Sequence, residues 1–175
     1  MIFLESNTVS FFGHRKITVT TALQTAVHEV IEDLIINKKA DTFLFGSRSE
    51  FDDLCHATVT TLRKKHPHIK RIYVRAEFPH IDETYRAYLL EKYEDTFFPA
   101  GLEKAGRAIY IERNMEMVRK SRYCVMYYDK DYLPSERNTL YGDGSKYRPK
   151  SGTAQIYRYA IKAGKEVMNI KERGV

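Results

Sequence analysis

Residues 8–15 read Thr8-Val-Ser-Phe-Phe-Gly-His-Arg15, and the fold turns on how this run is read. A short β-type stretch stops at Gly13. The apolar positions beyond it, Val19, Leu23, Ala26, Val27, Val30, Ile31 and Leu34, recur at helical spacing. That is strand, turn and amphipathic helix, and the cycle repeats. Thr42–Phe45 ends at Gly46, and Ser49 with Asp52 three residues on forms a capping-box pattern that opens a helix through about Lys65. Ile69–Arg75 predicts a third strand, and Ile81 to about Tyr93 a helix. The stretch from there to Arg107 carries no clear period. Ala108–Ile111 predicts a further short strand, and Arg113–Ser121 a short helix. Tyr123–Tyr128 is a continuous apolar run, typical of a strand buried on both faces of a parallel sheet. Asp129 closes it. The chain resumes at Ser151-Gly-Thr153 with a helix carrying Ile156, Tyr157, Ala160 and Ile161, a C′ glycine at Gly164 and a final strand Glu166–Ile170.

Alternating strands and helices predict an α/β fold. The expected form is a single Rossmann-like, doubly wound domain over residues 1–175, with five to seven mostly parallel strands and helices on both faces. The 175 residues and 20.5 kDa suit one domain, since domains cluster near about 100–150 residues. With 43% hydrophobic and 30% charged residues the chain can build a core. Residues 130–150 are rich in Tyr, Lys, Gly and Pro. A connection of this length without periodicity reads as an insertion: a lid, a small hairpin or a disordered segment.

Twenty-nine Lys and Arg against 23 Asp and Glu leave a formal charge of +6, which favours anionic partners without choosing among them. Cys55 and Cys124 are far apart and lack a C-x-x-C partner, so they read as reduced, buried thiols. Glu5 stands where a signal peptide would be basic, and no apolar run approaches the roughly 18 residues of a membrane span. A cytoplasmic location and no membrane partner follow as expectations.

In an open parallel sheet, ligands bind at the carboxyl ends of the strands. Three turns there carry small residues beside polar ones: Gly13-His14-Arg15, Gly46-Ser47-Arg48 and Ser151-Gly152-Thr153. Small residues admit close backbone approach, helix N-termini offer free N–H groups, and arginine grips phosphate bidentately. A nucleotide phosphate is the natural ligand. Neither a G-x-G-x-x-G fingerprint nor a Walker A loop can be written onto these turns, so hydride transfer and NTP hydrolysis lack a motif.

The motifs resemble the SLOG superfamily, which includes the DNA-processing protein DprA and the Lonely-guy phosphoribohydrolases, and most resemble its YpsA-type branch. Phe12-Gly-His-Arg15 resembles that branch's T-G-H-R signature, and Gly46 through Asp52 its glycine-rich second turn followed by Asp. Arg113-Asn114-Met-Glu-Met-Val118 with Ser121 resembles R-N-x-x-M-V, and Ser151-Gly-Thr153 with Tyr159-Ala160 its G-G-T and downstream Y-A. Nearly the whole chain is covered, residues 130–150 excepted. The resemblance implies a pocket for a nucleotide or nucleotide-derived small molecule, in relatives that either sense it or cleave an N-glycosidic bond. The implied site is Gly13, His14, Arg15, Gly46, Ser47, Arg48, Asp52, Arg113, Asn114, Ser151, Gly152 and Thr153. No cofactor and no metal are implied, and a homo-oligomer is expected.

This chain departs from the pattern at Ile156, where the Lonely-guy motif carries its catalytic Glu, at Ser151 for a glycine, and at Arg119 for an acidic residue. A replacement carboxylate would have to come from Asp52, Glu77 or Asp129, each of which reads more simply as a cap, a solvated loop charge or a turn residue. A nucleoside 5′-monophosphate N-glycosidase is therefore the alternative. Single-strand nucleic-acid binding of the DprA kind is a second, resting on Lys146, Arg148 and Lys150 among Tyr141 and Tyr147. His66-Pro-His68, with His56 and Cys55 a helix away, lacks the second close pair that a metal site needs.

Overall fold

The computed structural model describes residues 4–46, 48–134 and 151–175, with the backbone alone of Arg137–Asn138 and Lys146–Tyr147. Much of the 130–150 segment, and Ser47, lie outside the described residues. Six strands form one sheet: β1 Thr8–Gly13, β2 Thr42–Phe45, β3 Lys70–Val74, β4 Asp95–Phe97, β5 Tyr123–Tyr127 and, last in the chain, β8 Glu166–Asn169. Their order is β4-β3-β2-β1-β5-β8 and every pairing is parallel. Between β5 and β8 the two short strands β6 (Arg137–Asn138) and β7 (Lys146–Tyr147) pair antiparallel, apart from the main sheet.

The period-2 alternation of side chains sorts the strands' apolar residues onto two faces. Val9, Phe11, Phe43, Phe45, Val125 and Tyr127 pack with helices α1 (Thr21–Ile36) and α2 (Glu50–Arg63). Phe12, Leu44, Ile72, Val74, Cys124 and Met126 pack on the other side with α4 (Ile109–Arg119) and α5 (Gly152–Lys162). The sheet is thus doubly wound. Cys55 and Cys124 are buried on opposite faces and unbonded; burial alone pushes the Cys124 thiol up to about 12. No helix among the described residues is long and apolar enough to cross a membrane.

The helix ends follow their local chemistry. Thr20 and Ser49 cap α1 and α2 by accepting from Leu23 N and Asp52 N at 3.1 and 3.0 Å. Gly164 takes φ +74° after α5; Lys165 N–H then reaches Ala160 O and Gly164 N–H reaches Ile161 O, closing the helix in a Schellman motif. Val19 lies before α1 and is exposed, although it fits the helical spacing.

Two elements differ from the sequence expectation. Residues 108–111 do not form a strand: α4 begins at Ile109, because Arg113, Met117 and Val118 make one buried helical face whose packing outweighs the β-branched residues' preference. Within the region without a clear period, Asp95–Phe97 forms β4 at the sheet edge. Its neighbour Glu94 carries the edge. The Glu94 carboxylate accepts from Arg71 N, Nε and Nη2 at 2.7, 3.0 and 2.6 Å, and Arg63 Nε lies 3.2 Å away, so one residue ties α2, β3 and β4 together. Burial alone would raise the Glu94 pKa, but the hydrogen bonds and charge of Arg71, with Arg63, outweigh it and hold it below the ordinary value. The short helix α3 (Glu83–Leu90), capped by Asp82, packs beside β4.

Candidate functional site

The strand order reverses between β1 and β5, since the chain leaves β1 towards β2 on one side and later returns to place β5 on the other. A crevice opens at such a switch point, above the carboxyl ends of the strands. Here it is a cleft of about 810 Å³, and Gly13, His14, Arg15, Gly46, Arg48, Arg113, Asn114, Ser151, Gly152 and Thr153 all line it. The structure therefore brings together all three turns singled out in the sequence. Asp52 is buried in the first turn of α2 and is not among the described lining residues.

The two glycines of the first turns have a different physical reason from the one expected. A Cβ on Gly13 would sit 2.4 Å from Phe51 Cβ, and one on Gly46 would sit 2.8 Å from Met117 Sδ and 2.9 Å from Arg113 Nε. Neither glycine has positive φ. Both are small because α2 and α4 press against the strand ends, and not because a ligand approaches or a left-handed turn is needed. Gly152 is the opposite case: nothing described lies within 4 Å of a Cβ placed there, so this first residue of α5 faces open space.

Arg15 and Lys16 are held by a residue that sequence reasoning passed over. Glu50, the first residue of α2, donates its N–H to Arg15 O at 2.9 Å and accepts from Ile17 N at 2.7 Å through Oε2. The loop is tied down on both sides of Lys16 while the Arg15 side chain stays exposed at the cleft.

His14 is 2% exposed. Its Nε2 accepts the Asp129 N–H at 2.9 Å, which places the proton of the neutral ring on Nδ1, and Nδ1 has no hydrogen-bond partner. Tyr132 stacks on the ring with centroids 3.9 Å apart and planes 14° from parallel. Burial lowers the His14 pKa, and it also lowers that of His56, which hydrogen-bonds Lys92 O and packs on Phe45 and Tyr93. A histidine with a depressed folded pKa binds fewer protons folded than unfolded, so stability is present above the unfolded value and is lost as pH falls. The melting temperature should therefore drop between pH 7.5 and pH 5.5, the loss beginning near the unfolded histidine value of about 6.5. A flat profile over that interval would show that both rings titrate as they do in the unfolded chain.

Arg113 is the electrostatic centre of the cleft. It is 4% exposed; its Nη1 donates to Gly46 O at 2.6 Å and Val74 O at 3.3 Å, and its Nε to Asn114 Oδ1 at 2.8 Å. These bonds satisfy carbonyls at the ends of β2 and β3, but no carboxylate among the described residues forms an ion pair with it. Burial accordingly lowers its pKa. The described lining holds four cations, Arg15, Lys16, Arg48 and Arg113, against a single carboxylate, Glu77.

The candidate carboxylates separate cleanly. Asp129 Oδ1 accepts from Asp131 N at 2.9 Å, a turn role. Glu77 lines the cleft and accepts from the Tyr110 hydroxyl. Ile156 is fully buried against the α4–α5 face of the sheet, its edge reaching the cleft floor. Tyr73, Tyr110 and Tyr132 also line the cleft and were not foreseen; the signal available was their position just beyond strand ends or at a helix start. Among the described residues no group of His, Cys, Asp or Glu is placed to hold a metal ion. No family model matches this chain, and no curated protein matches it.

Proposed function

We propose that the cleft binds a nucleotide or nucleotide-derived small molecule through its phosphate, as a SLOG-type sensing domain would. The supporting observation is Arg113: a buried guanidinium without an ionic partner among the described residues, facing an open cleft. Buried charge is costly unless compensated, and an anion entering the cleft compensates it. The N-terminus of α5, where Gly152 leaves room, adds unpaired N–H groups and the positive end of the helix dipole. Ser151 caps that helix through Ala154 N at 3.2 Å, which leaves the neighbouring N–H groups for a ligand.

Arg15→Ala tests this. Arg15 is exposed and donates no structural bond, so the variant should fold as the parent does. Phosphate and nucleoside monophosphate affinity should weaken about tenfold, the roughly 1.5 kcal/mol of one hydrogen bond to a charged group. Calorimetry that returned the parent's affinities would remove Arg15 from the site. The glycosidase alternative would require a carboxylate at the scissile bond; Glu77 is the one carboxylate among the described lining residues, and release of free base by the parent but not by Glu77→Gln would support it.

A further inference from the structure

The two ends of the cleft differ chemically. At one end stand the α5 N-terminus, with the gap at Gly152, and buried Arg113 between it and the far wall. At the other, beyond β3, stand Tyr73, Glu77 and Tyr110, with Arg48 beside them. Strands β3 and β5 are separated by β2 and β1, and three interstrand steps amount to roughly 14 Å. That is comparable with a nucleoside monophosphate measured from its phosphorus to the far edge of its base, once a side chain reaches in to meet it.

A phosphate at the α5 end therefore carries a base to the Tyr73–Glu77–Tyr110 end. Tyr110 is 53% exposed and offers an aromatic face, while Tyr73 is held by stacking on Tyr93 at 5.3 Å. Aromatic faces bind any base. The polar pair decides which one. Glu77 is oriented by the Tyr110 hydroxyl on Oε1 and, as a carboxylate, can only accept; Arg48 is hydrogen-bonded to Tyr73, lies within the electrostatic reach of Glu77 and can only donate.

Resting on the nucleotide reading above, we propose that this end of the cleft selects guanine. Guanine's Watson–Crick edge offers an acceptor at O6 beside donors at N1 and N2, which complements a donor-only guanidinium next to an acceptor-only carboxylate. The N1–H and N2–H pair meets a carboxylate bidentately. Adenine presents the reverse order, a donor at N6 beside an acceptor at N1, and would oppose like to like at both positions. Hypoxanthine keeps O6 and N1–H but loses the N2 donor.

The test is calorimetric titration of the full chain with inorganic phosphate, GMP, IMP and AMP. The parent should bind GMP tightest, IMP about threefold to tenfold less tightly and AMP at least tenfold less tightly than GMP. Glu77→Gln gives an amide that can both donate and accept; it should weaken GMP about tenfold, strengthen AMP and leave inorganic phosphate within twofold of the parent. If phosphate binds while the parent takes GMP and AMP equally, or prefers AMP, guanine selection is wrong and the anion site stands. If Glu77→Gln leaves the GMP-to-AMP ratio unchanged, Glu77 is not the selecting group. Binding of none of the four overturns both this inference and the nucleotide reading.

Discussion

Gly13→Ala should destabilise the protein by about 3 kcal/mol, at the upper end of what overpacking usually costs. The added methyl would lie 2.4 Å from Phe51 Cβ and 2.5 Å from its ring. Phe51 is fully buried and begins α2, whose capping residue Ser49 and loop anchor Glu50 stand just before it. The neighbouring atom is a backbone-proximal carbon that cannot swing aside, so the helix itself would have to move. For a chain of this length the melting temperature should fall by about 6–12 °C. Gly46→Ala meets the thioether of Met117 and the Arg113 side chain instead, and should cost less because Met117 can change rotamer. A loss under 2 °C for Gly13→Ala would mean that α2 floats on the strand end and that the contact sets nothing.

Glu94→Ala should cost about 2 kcal/mol, below the 3–5 kcal/mol of a fully buried pair because Glu94 keeps partial solvent contact. The reason is what it leaves behind: Arg71, 9% exposed, would lose three of its bonds and keep only Thr60 Oγ1 at 2.9 Å. Acid should act on the same group. Its folded pKa is depressed, so its contribution is present above the unfolded carboxylate value and is lost as pH falls through the folded one. Denaturant melts of Glu94→Ala, Glu94→Gln and Arg63→Ala separate the partners, with Arg63→Ala costing least because half-exposed Arg63 is the outer cation. Equal melts for parent and Glu94→Ala would leave β4 held by its ladder alone.

The doubly wound sheet was legible because its strands are short apolar runs and its helices carry an amphipathic period. Val9 to Phe12 and Tyr123 to Tyr127 are apolar on both sides, which only a strand covered on both faces tolerates. What failed was local preference against tertiary packing. Ala108-Ile-Tyr-Ile111 looks extended, yet it begins a helix because Met117 and Val118 need α4 to lie on the sheet. Edge strand β4 is three residues long and half exposed, so it left almost no pattern to read.

The site was partly legible for a related reason. Turn residues at strand ends are marked by composition, so Gly13, Arg15, Gly46 and Ser151 stood out. Glu50, Tyr73, Glu77 and Tyr110 lie in segments whose pattern is explained by helix starts and strand ends alone. Their contribution arises only when three loops meet, and no spacing within one loop encodes that meeting. Gly13 and Gly46 were found for the wrong reason: they accommodate Phe51 and Arg113 of this chain.

The strand order has a consequence for synthesis on the ribosome. In the finished sheet β1 is interior, paired to β2 on one side and β5 on the other. In the nascent chain it is an edge. At about 5–20 residues per second, the roughly hundred residues separating β1 from β5 leave that edge open for on the order of ten seconds. Through that interval Val9 to Phe12 offer an apolar, unpaired ladder to any neighbouring chain, and only the later arrival of Tyr123–Tyr127 withdraws it. Release of a truncated chain before residue 123 would leave four strands with their most hydrophobic edge bare, a species disposed to aggregate and not to fold.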